Sequence, residues 1–188
     1  MPNIIMADQP GGGPSYTEIS AISIVNDANQ PCTIYNKMLF IAPAPINKFD
    51  VVYKLLSGNT ETDNDIILCK CNIRDNGTYF PASPFIQYTS QSGATTATKE
   101  ILSNGYAHIS GTFNSEQNAI FIGGWNDTTY SKTNAIKSVK FWDANDNLLF
   151  DGIPVLDGNN NPALYNKVTM QFLYNYLGYV SVVAGEAV

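Results

Sequence analysis

Charged side chains are scarce in this chain: only 14% of its 188 residues are Asp, Glu, Lys or Arg, and the net charge is −6. No lysine or arginine precedes Lys37, and no basic run occurs anywhere. This balance argues against nucleic-acid binding through phosphate neutralisation. The missing basic start predicts synthesis in the cytoplasm without a secretory signal peptide. The longest apolar run, near residues 38–42, is far too short to span a bilayer, so we expect no membrane insertion.

Cysteine and histidine are also few, with three cysteines (Cys32, Cys69 and Cys71) and His108 as the only histidine. An odd number of cysteines argues against a disulfide framework. The four side chains have the composition of a Cys₃His zinc site. However, Cys69 and Cys71 lie in a strand-like run, where residues two apart are separated by about 7 Å, too far for tetrahedral zinc. We therefore interpret both as small buried apolar residues and expect no cofactor.

Helical periodicity is absent, and short segments of period two alternate with Gly, Pro, Asn and Asp turns. The predicted strands are residues 16–25, 32–42, 49–56, 65–74, 79–89, 99–102, 106–113, 119–122, 136–142, 148–150, 164–165, 170–174 and 179–183. Proline is expected to stop the strands near residues 43–45 and 151–154, and residues 91–98 are predicted to form a loop tip. Many short strands with regularly spaced turns predict an all-β fold, a two-sheet antiparallel β-sandwich.

The N-terminal residues 1–15 contain Gly11-Gly12-Gly13 between two prolines, a composition that cannot hold a regular element. We predict a flexible arm here and one sandwich domain over residues 16–188. The apolar start of the arm, Ile4, Ile5 and Met6, is unusual for a free tail. It indicates either a peptide that docks on a partner or an edge strand of the domain's own sheet.

Residues 135–175 contain the most distinctive pattern of the chain. IKSVKFWD is followed by an Asn-rich turn, a strand running to Ile153-Pro154, an Asp/Gly/Asn loop and then ALYNKVTMQFLYN. This order resembles the C-terminal signature of concanavalin A-like, laminin-G-like domains of tailed-phage structural proteins and gut-bacterial surface proteins. That signature runs KIYSVKIYD, a turn, IP, a loop and GLYDKVTGKFYxN. Ala163 and Met170 stand where the signature has glycine, and Asn166 stands where it has Asp.

The resemblance implies a jelly-roll β-sandwich in a non-enzymatic virion protein, placed on the capsid surface or on a tail or fibre. The implied partners are other virion proteins, as a homo-oligomer or with capsid or tail subunits, and cell-surface glycan. The implied location is the virion. The first alternative is a lectin-like carbohydrate-binding module, and the second is a glycan-cleaving enzyme of the same fold.

The enzymatic alternative depends on Glu61, Asp63 and Asp65, which would share one face of a strand. A retaining glycosidase needs two carboxyl groups about 5–5.5 Å apart. The segment follows Ser57-Gly58-Asn59 and is itself turn-like, so we predict that it is not catalytic. No Gly-x-Ser-x-Gly elbow accompanies His108, which argues against a nucleophilic triad.

Residues 143–147 and 157–161 are rich in Asp and Asn, which supply the oxygen ligands of calcium loops but also form turns. Neither segment fits the EF-hand pattern, and turn chemistry explains both without a metal.

Residues 123–133 are predicted to form a recognition loop. Gly123-Gly124 frees the backbone, and Trp125 and Tyr130 then flank polar side chains that include Asn126 and Asp127. Flat rings beside amide and carboxylate groups suit a sugar face or a polar protein interface. The alternative is that Trp125 folds back as a lid over the core.

Overall fold

The computed structural model describes residues 13–25, 38–54, 66–73, 75, 77, 79–87, 91–103, 105–122, 135–174 and 181–184. Within these residues the chain forms twelve β-strands and no helix. In chain order the strands are β1 (Tyr16–Glu18), β2 (Ile22–Val25), β3 (Met38–Lys54), β4 (Ile66–Ile73), β5 (Tyr79–Gln87), β6 (Ala94–Ile101), β7 (Tyr106–Ile122), β8 (Ala135–Trp142), β9 (Leu148–Asp157), β10 (Pro162–Asn166), β11 (Gln171–Leu173) and β12 (Ser181–Ala184). The all-β prediction is confirmed for this part of the chain.

The strands belong to one curled sheet whose main path is β11-β10-β9-β8-β3-β7-β4-β5. β1 joins β9, β2 joins β8 and β12, and β6 joins β7. Every pairing between described strands is antiparallel. In the described ranges, no helix is long and apolar enough to cross a membrane.

The two longest strands, β3 and β7, have 17 residues each and pair with each other along most of their length. β3 runs through Pro43 and Pro45, so the predicted stop at these prolines is wrong. The register shifts between Ile41 and Ile46, and the prolines lie inside that irregular segment. A proline is tolerated in a sheet where the ladder is already interrupted. β7 likewise joins two predicted strands into one.

The core lies between two halves of the curled sheet. One half contains β8 and β9, and the other contains the first half of β3 and the segment of β7 that pairs with it. Phe40, in the first half of β3, pairs with Ile120 of β7 through the backbone. Its ring nevertheless packs against Phe150 of β9 and Phe141 of β8, with ring centroids 4.6 and 5.8 Å apart. The first half of β3 therefore lies across the core from β8 and β9. Other large side chains in this core are Met38, Ile46, Phe49, Tyr53 and Leu68.

Pro154 does not end its strand as predicted, because β9 continues to Asp157. β9 pairs with β8 as far as Gly152 and with β1 from Val155 onward. The Pro154 carbonyl accepts a hydrogen bond from the Ile19 amide at 3.1 Å. The amide and carbonyl of one strand residue point to the same side of the strand. The N–H group that Pro154 lacks would therefore lie on the side of β8 and β1, in the gap between these two partners.

Residues 91–98 do not form a loop tip, because β6 begins at Ala94 and pairs with β7 as far as Ile101. The three threonines of this segment are β-branched and fit a strand. Gly111 of β7 lets the strands approach closely, since a Cβ atom there would lie 2.0 Å from the Thr96 carbonyl oxygen. The predicted turn between β6 and β7 is confirmed, with Gly105 at φ 81°.

Candidate functional site

The outward face of β6, β7, β3 and β8 is polar, and we call it the polar face. Alternate side chains of β3 and β7 point away from the core, as predicted for β7 from its period-two pattern. Across the four strands, the cross-strand registers align these side chains in rows. The polar face comprises Thr96, Thr98, Glu100, His108, Ser110, Thr112, Lys48, Asp50, Ser138, Lys140 and Trp142, and Val52 lies in the row between His108 and Ser138.

Most ionisable side chains of the polar face lie close to an oppositely ionisable group, and Glu100, opposite His108, adds a further exposed carboxylate. His108 Nε2 lies 2.8 Å from Asp50 Oδ2, and the two side chains are 32% and 30% exposed. Lys48 bonds the Asp146 carboxylate at the edge of the face. Lys140 Nζ lies 3.9 Å from an oxygen of Asp151. The face therefore presents carboxylates beside its lysines.

A groove of roughly 350 Å³ crosses the polar face. Its lining comes from Lys48, Phe49, Asp50, Ser110, Gly111, Thr112, Trp142 and Asp146. Trp142 pairs with Lys48 across β8 and β3 and is half-buried, so it contributes part of its ring to the groove. An open groove with one indole ring, hydroxyl groups and balanced charges suits a neutral, polar ligand.

No family model, curated protein or solved structure matches this chain.

Within the described residues, His108 contacts Asp50 and lies apart from Cys69. It lies near the start of β7, whereas Cys69 pairs with Phe121 at the far end of the same strand. The Ser110 hydroxyl lies 2.9 Å from that of Thr98 rather than bonding to the imidazole that a triad needs. The predicted burial is correct for Cys69, whereas Cys71 is only half-buried. Cys32 is outside the described residues.

The Asp/Asn-rich segments after β8 and β9 form two turns of the same design. The Asp143 carboxylate accepts hydrogen bonds from the backbone amides of Asn145 and Asn147, at 2.8 and 2.9 Å. Asp157 accepts the equivalent bonds from Asn159 and Asn161, both at 2.8 Å. Each first Asp thus uses its carboxylate as the acceptor of an Asx turn. Within the described residues, no three His, Cys, Asp or Glu side chains converge on a metal-sized site.

Hydrogen bonding at these turns changes the acidity of both carboxyl groups. The side-chain and backbone donors of Asn147 lower the pKa of Asp143. For Asp157, burial opposes ionisation, but the donors of Tyr174, Asn161 and Asn159 outweigh it and lower the pKa to about 2. The Tyr174 hydroxyl lies 2.7 Å from Asp157 Oδ2. Burial and this carboxylate raise the pKa of Tyr174 to about 12. The Asp157–Tyr174 pair thus ties the end of β9 to the chain just beyond β11.

Asn166 and Met170, two of the departures from the phage-domain signature, both lie at the turn between β10 and β11. The Asn166 side-chain oxygen accepts from the backbone amides of Asp151 and Val168, both at 3.1 Å. Met170 has a φ of 56°, the left-handed conformation that a glycine adopts most easily. A residue with a Cβ atom therefore occupies a backbone conformation that favours glycine.

The residues predicted from sequence to carry function lie outside the described ranges, namely the arm residues Ile4, Ile5 and Met6 and the recognition-loop residues Trp125, Asn126, Asp127 and Tyr130. The carboxylates Glu61, Asp63 and Asp65, which were predicted not to be catalytic, also lie outside them. The described part of the chain places β7 before that loop and β8 after it. Their roles stay predictions.

The groove on the polar face was missed by the sequence-based prediction. The alternation of polar residues from Tyr106 to Thr112 marked one outward face of β7, but it did not identify the neighbouring strands. Lys48 and Asp50 alternate in the same way in β3. The missing information was that β3 pairs with β7 and β8, which lie far away in sequence.

Proposed function

We propose that this protein is a non-enzymatic surface module of a tailed-phage virion that contacts neutral cell-surface glycan through its polar face. The groove beside Trp142 is the observation that carries the proposal. Other virion subunits, including copies of the same chain, are its proposed structural partners.

The fold that we propose is the concanavalin A-like jelly roll. Its support is the curled antiparallel sheet, in which β3 and β7 pass from one half to the other through their irregular segments. The contact of Phe40 with Phe141 and Phe150 gives the two-layer packing that such a fold requires. We also propose that residues 1–15 form a flexible arm at the N-terminus of this fold.

The proposed setting rests on the stretch that resembles phage domains. Residues 135–173 form the consecutive strands β8, β9, β10 and β11, each hydrogen-bonded to the next. Met170 occupies a glycine position of the signature and has the positive φ that glycine adopts most easily. This conformation supports the proposed resemblance to that class.

The proposed ligand class follows from the chemistry of the groove. A sugar offers hydroxyl groups that both donate and accept, and it offers C–H faces that pack on an aromatic ring. Trp142 supplies the ring, while Ser110 and Thr112 supply hydroxyls beside Lys48 and Asp50. Because carboxylates lie beside both Lys48 and Lys140, a strongly anionic ligand gains little from this surface.

A glycan array followed by titration of the best neutral oligosaccharide tests the proposed ligand. We expect Trp142→Ala to weaken binding at least tenfold and Trp142→Phe to retain most of it, because phenylalanine keeps a stacking ring. Asn145→Ala, an exposed change in the neighbouring turn, is the matched control and should bind like the wild type. Absence of neutral-glycan binding, or unchanged affinity in a folded Trp142→Ala variant, would refute the ligand proposal.

A lectin-like module without a virion role is the second candidate, because the same groove would serve it. Mass spectrometry of purified particles separates the two settings. Stoichiometric presence of the chain in particles supports the virion module, and its absence from particles carrying the other structural proteins supports the free lectin. If the bound oligosaccharide were instead cleaved, and Glu61→Gln abolished that cleavage, the non-enzymatic proposal would be wrong.

A further inference from the structure

β6 is a strand at the edge of the sheet and differs from the other strands in its burial. Among the described strands it pairs with β7 alone. Residues 95–101 are all exposed, and Ala94 is the β6 residue that packs against the core. β6 is therefore attached to the sheet mainly through its backbone, and alternate backbone groups face away from β7.

The other edges among the described strands are short or irregular. β5 contains Pro81 and Pro84, and its pairing with β4 has three register shifts. β11 has three residues and β12 has four. Proline, irregularity and short length are the devices that prevent an edge strand from pairing with another chain. β6 has eight residues and no proline, and after one register shift between Ala94 and Thr96 its register with β7 is uninterrupted as far as Ile101.

We propose that β6 pairs antiparallel with β6 of a second copy of this chain, about a two-fold axis at Ala97. In this register, Thr96 lies opposite Thr98 of the second copy, and the reverse pair forms at the symmetric position. Threonine pairs of this kind stabilise antiparallel strands. Glu100 lies opposite Ala94 of the second copy, so no like charges are brought together.

The sequence of β6 is self-complementary in this arrangement, which is why a second copy is favoured over an unrelated partner. Thr96 already pairs with Thr112, and Thr98 with Ser110, on the polar face. The two-fold pairing extends these hydroxyl rows directly into the second molecule. The result is one continuous sheet that carries two polar faces side by side.

The expected association is weak, because a single strand pair buries less surface than a stable interface of about 1,200–2,000 Å². High local concentration, as in an assembled particle, would favour it. The pairing of β6 itself does not depend on the proposed glycan ligand. Only the consequence that one dimer binds glycan at two polar faces rests on the proposed function.

Disulfide trapping tests both the interface and its register. Directly opposite residues of an antiparallel pair have Cα atoms about 4.5–5.5 Å apart, within the range of about 4.4–6.8 Å that a disulfide spans. We expect Ala97→Cys to yield a disulfide-linked dimer under mild oxidation. Thr95→Cys, equally exposed on the same strand, should stay monomeric because the axis places it opposite Lys99. Equal cross-linking of both variants, or none above the wild-type level, overturns the proposed register.

Sedimentation equilibrium provides a test that does not use cysteine chemistry. The wild type should form a dimer as concentration rises, Ala97→Ser should behave similarly, and Ala97→Asp should remain monomeric because it places two carboxylates at the axis. Denaturation curves of the folded variants should coincide, since residue 97 is exposed. A wild type that stays monomeric up to millimolar concentration would refute the pairing. Unaltered dimerisation of Ala97→Asp would also refute it, whatever ligand the polar face binds.

Discussion

At the scale of single residues, the contact between Asp157 and Tyr174 is the best-defined electrostatic feature of the structure. One hydrogen bond favours both the ionised carboxyl group and the protonated phenol. The pKa of Asp157 is lowered to about 2 and that of Tyr174 is raised to about 12. The bond therefore links the stability of the C-terminal strands to pH at both ends of the scale.

Tyr174→Phe should lower the free energy of unfolding by about 1–2 kcal/mol at neutral pH, because it removes a hydrogen bond to a carboxylate, a bond that the partial exposure of Tyr174 weakens. The Asp157 contribution is complete above the unfolded pKa of about 4 and is lost as pH falls toward 2. The Tyr174 contribution is complete below about pH 10 and is lost as pH rises toward 12. Urea unfolding of both proteins from pH 2 to 11 should show a difference that shrinks at both extremes. A difference independent of pH would contradict this account.

Met170 is a second residue whose energetics follow from its conformation. The left-handed conformation costs a residue with a Cβ atom about 1–2 kcal/mol, and glycine loses about 0.4–1 kcal/mol more chain entropy on folding. Met170→Gly should therefore raise the free energy of unfolding by about 0.5–1 kcal/mol, since the side chain is 60% exposed. Thr169→Gly, at a neighbouring residue without positive φ, should be destabilising instead. Thermal and urea denaturation of the two variants make the comparison.

Turn residues were predictable from sequence because the information is local. Asp143 and Asp157 bond backbone amides two and four residues later, so their role can be inferred from a five-residue segment. The polar-face pair His108–Asp50 was not predictable, because its members lie on different strands. The side chain of His108 gave no local signal of its partner.

At the scale of strands, the close approach of β6 to β7 depends on Gly111. Gly111→Ala should lower the free energy of unfolding by about 2 kcal/mol, because the new methyl group would meet the Thr96 carbonyl and force the strands apart. Gly158→Ala is the matched control, since its nearest neighbour, the Ser15 carbonyl oxygen, would lie 3.8 Å away. Hydrogen exchange should show the loss of protection concentrated in β6. Equal stability of the two variants would mean that β6 shifts without cost.

Strand existence was predicted better than strand ends. The prolines of β3 and β9 indicated stops, yet each lies where the ladder is already interrupted or changes partner. Conversely, the segment predicted as one strand over residues 16–25 divides into β1 and β2, which join different partners. These outcomes depend on which strands become neighbours, and a single-sequence pattern does not contain that information.

At the scale of the whole molecule, two separate sheets were predicted and one connected, curled sheet is found. Period two identified the strands and their inward faces, since the buried side chains alternate as expected. The period-two pattern did not show that β3 and β7 continue from one half of the curled sheet to the other. That continuity arises from tolerated irregularities at residues 41–46 of β3.

The N-terminal segment provides a prediction about assembly. Removing residues 1–12 should leave the melting temperature within about 2 °C, because residue 13 onward retains its neighbours, including the Tyr165 hydroxyl near Gly13. If Ile4, Ile5 and Met6 dock on a partner subunit, the truncated chain should incorporate poorly into particles or oligomers. Ile4→Ser combined with Ile5→Ser in the full-length chain should reproduce that defect. A large loss of thermal stability would show that the segment belongs to the domain's own sheet.

The position of β3 in the chain has a consequence for protein synthesis. Both of its neighbours in the sheet, β7 and β8, are encoded after it. The ribosome adds 88 residues between Lys54, where β3 ends, and Trp142, where β8 ends. At about 5–20 residues per second, this interval lasts roughly 4–18 s. During that time the apolar face of this 17-residue strand is not covered by its final neighbours in the sheet. The nascent chain is therefore prone to aggregation, and to binding by chaperones, until β8 has been synthesised.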